Sequence, residues 1–189
     1  MSTNKQIESV PFIKGENINL CPSNSDHLNL YAKWWNSPGI RKYARAVFPR
    51  SKEDLKKTLE PPESRMRERI FFEIWHKADN KPIGYAGLED IRWFDRRASL
   101  FYVIGEKEYW GKGFATEASL LIVNYGFNEL NLHKITAGAF SPNRASIRVL
   151  EKVGFQFELT KKKENYIDGK FVDSEEYSIL IQEWNKTGV

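Results

Sequence analysis

Tyr109-Trp110-Gly111-Lys112-Gly113-Phe114-Ala115-Thr116-Glu117-Ala118 is the stretch whose reading decides the fold. It joins an apolar run, Ala98 to Ile104, to a long segment, about Phe114 to Leu130. In that segment Ala118, Leu121, Ile122, Tyr125 and Leu130 recur at helical spacing. A strand, a glycine-bearing loop and a helix therefore follow one another. The first turn of a helix carries unpaired N–H groups and the positive end of the dipole. Glycines let an anionic oxygen reach those amides, because no Cβ stands in the way. Lys112 adds charge at the rim. The stretch reads as a pocket for a diphosphate, and a plain turn into a helix is the alternative that the glycines alone leave open. A Walker loop needs Lys and then Ser or Thr after its last glycine, where Phe114-Ala115 stand. Thr116 occupies the place where a dinucleotide fingerprint needs its third glycine.

Upstream of the loop, Ile18-Asn19-Leu20 reads as a short strand. Ser25-Asp26 caps an amphipathic helix bearing Leu28, Leu30, Tyr31, Trp34 and Trp35, and Ser37-Pro38 breaks it. Gly39 to Arg45 forms a second short helix. Ser51 with Asp54 makes a variant capping box for a third, which runs to about Leu59 and is stopped by Pro61-Pro62. Ile70 to Trp75 is a strand, Ala78-Asp79-Asn80 a turn, and Pro82 to Trp93 a strand expected to be irregular at Gly84 and Gly87. Ala98 to Ile104 is expected to be buried on both faces. Downstream come a strand, Lys134 to Phe140, and a helix, Arg144 to Val153, with Gly154 at its C-cap. Two last strands are joined by an Asp168-Gly169 turn. The sum is seven strands in one α/β (α+β) layer with helices packed on it. Residues 1–11 read as a loose leader and 12–189 as a single domain.

The bulk properties narrow the function. The 189 residues, 41% hydrophobic and 29% charged, fit one ordinary globular domain. The formal charge of +4 arises from 29 Lys and Arg interspersed with 25 Asp and Glu, so a concentrated basic face for nucleic acid is not expected. Lys161-Lys162-Lys163 is followed at once by Glu164. A single cysteine, Cys21, excludes an internal disulfide, and it reads as a small core residue. His27, His76 and His133 lack ligand spacing, so no metal is expected. Met1 to Glu8 lacks the apolar stretch of a signal peptide, and no apolar run approaches membrane-spanning length; the expected compartment is the cytoplasm. Trp34-Trp35 reads as helix packing before it reads as a groove lining.

A second informative stretch runs Ser141-Pro142-Asn143-Arg144-Ala145-Ser146-Ile147-Arg148-Val149-Leu150-Glu151-Lys152-Val153-Gly154-Phe155. Asn143 is a good N-cap, and Ser146 occupies the third helical position, where its hydroxyl can point out of the helix start. In this order and separation the two stretches resemble the GCN5-related N-acetyltransferases. The branch is that of the ribosomal-protein N-terminal and spermidine acetyltransferases. Tyr109 to Ala118 resembles the cofactor loop of that family, and Asn143 to Phe155 its second signature. Trp35-Asn36-Ser37-Pro38 and Lys81-Pro82-Ile83-Gly84 resemble its earlier segments. The resemblance spans roughly residues 17 to 184.

The resemblance implies a mixed, mostly antiparallel sheet with helices on both faces. It implies two parallel central strands, Ala98–Ile104 and Lys134–Phe140, that splay to admit the pantetheine arm of acetyl-coenzyme A. Backbone groups of Val103, Ile104 and Gly105 would pair with the pantetheine, in the manner of an added strand. Amides of Trp110, Gly111, Lys112, Gly113, Phe114, Ala115 and Thr116 would hold the pyrophosphate, and Asn143 and Ser146 would face the thioester. The acetyl group would pass to a primary amine by direct attack. That acceptor is a protein N-terminal α-amine or, alternatively, a polyamine or amino sugar. A non-catalytic acyl-coenzyme A sensor is the competing reading, and the chain is a monomer or a homodimer.

This chain departs from the family in three places. Trp110 replaces a usual Gln or Arg. Leu150 stands where many members carry a Tyr acid, which leaves Ser146 as the group that hydrogen-bonds the leaving thiolate. Ser99 stands where relatives often carry an acidic residue on the strand before the loop. Glu89 is then the candidate base, with Asp90 and Glu164 as alternatives; each would act through water, and a solvated surface carboxylate is the plain reading of each.

Overall fold

A computed structural model describes residues 10–44, 47–59 and 66–184. The strands are β1 (Ile13–Lys14), β2 (Ile18–Pro22), β3 (Ile70–His76), β4 (Lys81–Arg92), β5 (Arg97–Ile104), β6 (Lys134–Phe140), β7 (Gln156–Ile167) and β8 (Lys170–Leu180). They form one sheet in the order β1-β2-β3-β4-β5-β6-β8-β7. The sheet thus has eight strands rather than the expected seven. The extra one, β1, is two residues long and too short for any alternation to show in sequence. Every pair is antiparallel except β5 with β6.

Helices α1 (Leu28–Asn36), α2 (Pro38–Arg41) and α3 (Lys52–Leu59) cover one face of the sheet. Helices α4 (Phe114–Asn128) and α5 (Arg144–Val153) cover the other, and α6 (Ile181–Trp184) follows β8. Strand alternation sorts the core between the two faces. Along β4, Tyr85 joins the α1–α3 side, while Ala86 and Leu88 join the α4–α5 side. Along β5, Phe101 and Val103 go to the first side and Leu100, Tyr102 and Ile104 to the second.

Local signals explain most boundaries. Ser51 and Asp54 cap α3 reciprocally: Ser51 N–H donates to Asp54 Oδ2 at 2.9 Å and Asp54 N–H to Ser51 Oγ at 3.1 Å. Asp168 and Gly169, at φ 48° and 80°, make the hairpin turn between β7 and β8. Asn24, not Ser25, provides the cap before α1: its Oδ1 accepts from Asp26 N–H at 2.9 Å, and a 3-10 turn over Ser25–His27 leads into the helix. α2 begins at Pro38, one residue before the expected start, because Pro suits a first helical position. It ends at Arg41, short of the expected Arg45, and residues 42–44 form turns instead of helix. Arg45 itself, the Pro61-Pro62 stop and most of the 1–11 leader lie outside the described residues.

Strand β4 is irregular, but only partly where expected. One extra residue, Ile83, sits beside Gly84, and a second bulge follows Glu89, with Asp90 at φ 51°. Gly87 keeps regular register, and its role is close approach: a methyl there would lie 1.9 Å from the Ile70 carbonyl oxygen. Cys21 is buried in β2. Among the described residues no helix is long and apolar enough to cross a membrane.

Candidate active site

The site begins where β5 and β6 part. They pair only at Arg97 with Lys134, Ala98 with Ile135 and Ser99 with Thr136. Beyond Ser99, β5 stays bound to β4 on its other side, and beyond Thr136, β6 stays bound to β8. A gap therefore opens between Leu100–Ile104 and Ala137–Phe140. This explains why Ser99 and Phe101 to Ile104 are only half-buried, against the expectation of a strand covered on both faces.

Backbone alternation sets which groups of β5 face the gap. A methyl on Gly84 would lie 2.1 Å from the Val103 carbonyl oxygen, so Val103 faces β4. Gly105 N–H donates to the Ile83 carbonyl at 2.8 Å and is likewise turned away. Ile104 and Tyr102 alternate with these and face the gap. The expected trio of Val103, Ile104 and Gly105 thus divides, with Ile104 alone of the three on the open side. Its carbonyl accepts from Trp110 Nε1–H at 2.8 Å, which leaves its N–H.

Gly105 has a separate task. A Cβ on it would lie 2.3 Å from the indole of Trp34, a side chain with no exposure. Trp34 Nε1–H in turn donates to Glu106 at 2.7 Å, and Lys33 pairs with the same carboxylate at 2.7 Å. Burial alone would raise Glu106, but the Lys33 and Trp34 contacts outweigh it and hold the carboxyl below its ordinary range. The end of β5 is thereby tied to α1. Trp34 packs, as expected, and Trp35 stacks on Tyr85 at 5.6 Å.

The loop arrives at the mouth of the gap through a 3-10 turn, Lys107–Tyr109. Gly111 and Gly113 have φ of 74° and 89°, the left-handed region that glycine adopts without cost. Nothing lies within 4 Å of where a Cβ would sit on either, so backbone conformation and not crowding calls for glycine. Gly113 is the N-cap of α4 and makes no side-chain cap bond. The amides of Phe114, Ala115 and Thr116 begin the helix without intrahelical partners. Lys112 and Lys81 both lie over the ring of Tyr109, at 5.5 and 5.1 Å. Glu117 in the same turn faces backwards and accepts from Asn17 N–H at 2.8 Å and Ile18 N–H at 3.2 Å, anchoring α4 to the β1–β2 connection.

Across the gap, Asn143 caps α5 by accepting from Ser146 N–H at 3.2 Å. Ser146 Oγ lies 2.8 Å from the phenol oxygen of Tyr102. Tyr102 went unnoticed in the sequence, where it is one more aromatic in a strand; only the parting of β5 and β6 brings it to α5. Leu150 is buried against the core.

Glu89 is half-buried at the end of the regular β4–β5 ladder and lies directly opposite Ser99. Its Oε2 is 3.6 Å from Arg69 Nη2, and the guanidinium sits 4.7 Å over the Phe101 ring. Burial raises the Glu89 carboxyl above its ordinary range, and Arg69 opposes this only in part. Asp90 is exposed, and Glu164 lies in β7 at the far edge of the sheet. On the α1–α3 side, Lys42, just past α2, pairs with Asp168 at the β7–β8 tip at 2.5 Å, and Tyr43 lies 6.5 Å from Phe140.

A sheet parted between its two central parallel strands, with a glycine-framed helix start at the mouth, is the architecture that the resemblance implied for coenzyme A-dependent acyltransferases. Comparison with known families agrees. The profile described as Acetyltransferase (GNAT) domain matches residues 17–156, more than half of the chain, and the chain belongs to that family. It is 40% identical over 114 residues to the probable N-acetyltransferase YjcK of Bacillus subtilis, covering 60% of this chain and 62% of that one. It is 36% identical over 95 residues to the spermidine N(1)-acetyltransferase of Escherichia coli, covering 50% of each. The chain therefore spans less than two thirds of the length of these relatives. The crystal structure of spermidine N-acetyltransferase from Vibrio cholerae in complex with CoA and spermine has a TM-score of 0.81 and 25% identity. The match covers 89% of this chain and 98% of that one.

Proposed function

We propose that this protein is an acetyl-coenzyme A-dependent N-acetyltransferase that acts on a primary amine. The observation that carries the reading is the parting of β5 from β6 after Ser99 and Thr136, beside an α4 N-terminus that no side chain caps. The residues fit coenzyme A. The amides from Trp110 to Thr116 hold its pyrophosphate at the positive end of α4. Ile104 N–H and the backbone of Tyr102 meet the pantetheine as an added strand. Bound there, the cofactor supplies an activated acetyl thioester.

The chain's own residues do the rest. Ser146 donates its hydroxyl to the sulfur as negative charge develops on it, and Asn143 fixes the helix turn that carries Ser146. Glu89 takes the proton lost by the attacking amine, directly or through one water, from the face shared with Phe101 and Arg69. A carboxylate with a raised pKa is closer to its task than an ordinary one, yet it remains a modest base. Only a neutral amine attacks. A lysine-like amine near pKa 10.4 needs about three units of help at neutral pH, roughly 4 kcal/mol, and an α-amine near pKa 8 about one unit, ~1.4 kcal/mol. The acceptor is therefore an α-amine, as on a protein N-terminus, ahead of a polyamine such as the spermidine named for the Escherichia coli relative. The cytoplasm, where acetyl-coenzyme A is made and used, is the proposed compartment.

Titration calorimetry with acetyl-coenzyme A tests the site, and free-thiol release with an N-terminal peptide and with spermidine across pH tests the chemistry. Binding with peptide-dependent thiol release is expected. Binding without release under any amine would mark a sensor, and faster turnover of spermidine at neutral pH would replace the α-amine by a polyamine.

A further inference from the structure

We infer that Tyr102 is a positioning residue for thioester cleavage, holding the hydroxyl of Ser146 so that its proton faces the sulfur in the gap between β5 and β6. The inference rests on the proposed role of Ser146. Tyr102 stands on the stretch of β5 that has left β6, yet its side chain reaches α5, the helix that follows β6. Its phenol oxygen is 2.8 Å from Ser146 Oγ and 3.2 Å from the Ser146 carbonyl oxygen. Asn143 holds the Ser146 N–H, and the single phenol proton of Tyr102 is within reach of the hydroxyl and of the carbonyl of the same residue.

A serine hydroxyl left to itself rotates freely and spends its proton on water. The phenol has one proton and two possible arrangements, of which only the second turns both contacts into hydrogen bonds. In one, Tyr102 donates to Ser146 Oγ, and the serine proton is free to point into the gap. In the other, Tyr102 donates to the carbonyl and Ser146 donates back to the phenol oxygen, which turns the serine proton away. A sulfur gaining negative charge in the gap selects the first arrangement, and the chain of two donors then polarises towards it. Burial pushes the phenol up and the Ser146 contact pulls it partly back, which leaves it at about 12, so Tyr102 stays protonated and remains a donor across the working range. A hydrogen bond to a charged group contributes roughly ten- to a hundredfold in rate when it exists only as the charge forms.

The test uses the full chain with Tyr102→Phe, Ser146→Ala and the double substitution. Thiol release from acetyl-coenzyme A with whichever amine supports turnover should show kcat down about tenfold or more in Tyr102→Phe, with KM for acetyl-coenzyme A within about twofold. In the Ser146→Ala background Tyr102→Phe should add nothing. A binding measurement stands apart from turnover. Each single substitution should weaken coenzyme A while leaving desulfo-coenzyme A, which lacks the sulfur, unchanged. Wild-type kcat in Tyr102→Phe, losses that multiply in the double variant, or equal weakening of the two ligands would overturn the inference. If the unaltered protein binds coenzyme A but releases no thiol, acetyl transfer fails as a reading, and the comparison of the two ligands still decides the role of Tyr102. If it binds neither ligand, both readings fall.

Discussion

Glu89 on β4 and Ser99 on β5 are direct cross-strand partners, and Ser99 is also the last residue of β5 to pair with β6. The carboxylate thus stands one strand away from the point where the sheet opens. Relatives often carry an acid at the position of Ser99 itself. Side chains directly opposite on one face of an antiparallel pair have Cβ atoms about 5 Å apart, so the carboxylate reaches the same space from the neighbouring strand.

Glu89→Gln should lower kcat/KM for the amine at neutral pH by about 10²-fold, in the usual range for removal of a general base. The pH profile of the unaltered protein should carry an acid limb above the ordinary carboxylate range, because burial raises this group and the base is lost as pH falls through its pKa. Stability runs the other way. A carboxyl whose pKa is higher folded than unfolded binds its proton more tightly in the fold, so its ionisation costs stability as pH rises through that window. The glutamine variant should therefore melt no lower than the parent at pH 7. Unchanged turnover would remove Glu89 from the mechanism.

Gly113→Ala should separate binding from folding. An alanine in the left-handed region costs about 1 kcal/mol, and its methyl meets open space. For a chain of this size the melting temperature should fall by about 2–4 °C. The amides at the start of α4 would turn to relieve the strain, and affinity for coenzyme A should fall about tenfold or more. Calorimetry and a melting curve on one sample read both effects, and full affinity would show that the amides do not depend on this glycine.

Gly105→Ala should behave differently, because here the obstacle is packing. Its methyl would strike the buried indole of Trp34, which the Glu106 bond holds in place. Overpacking of this kind costs roughly 1–3 kcal/mol. A lower denaturant midpoint is expected, and an unshifted midpoint would show that the junction of β5 with α1 yields easily.

Glu73→Ala tests the α1 side of the sheet. Glu73, 1% exposed, accepts from Trp75 Nε1–H at 2.6 Å and from the Tyr31 hydroxyl, and His27 Nδ1 lies 2.7 Å away. Removing the carboxylate strands three buried polar groups and should cost about 3 kcal/mol or more. Equilibrium denaturation measures it, and a loss below about 1 kcal/mol would mean that water replaces the carboxylate.

Much of this architecture is legible one segment at a time. The Ser51–Asp54 cap, the Asp168-Gly169 turn, β6, α5 and its Gly154 end all follow from neighbours a few residues apart. Strand β1 does not, because two residues hold no period. Nor does the cap at Asn24, since Asn, Ser and Asp stand in a row and each is a competent cap. The bulge after Glu89 was missed because its signal is an unremarkable Asp90 at positive φ.

By itself the sequence determined the order of strands and helices, the glycine conformations at the loop and the start of α5, since each is a local property of the chain. Tertiary structure alone decided that β5 and β6 part after three paired residues, which of their backbone groups face the gap, and that Glu89 stands beside Ser99 and Tyr102 beside Ser146. Those relations join residues that are far apart in the chain or on different elements. They are set by sheet register and by the packing of two helical layers, and no local spacing encodes them.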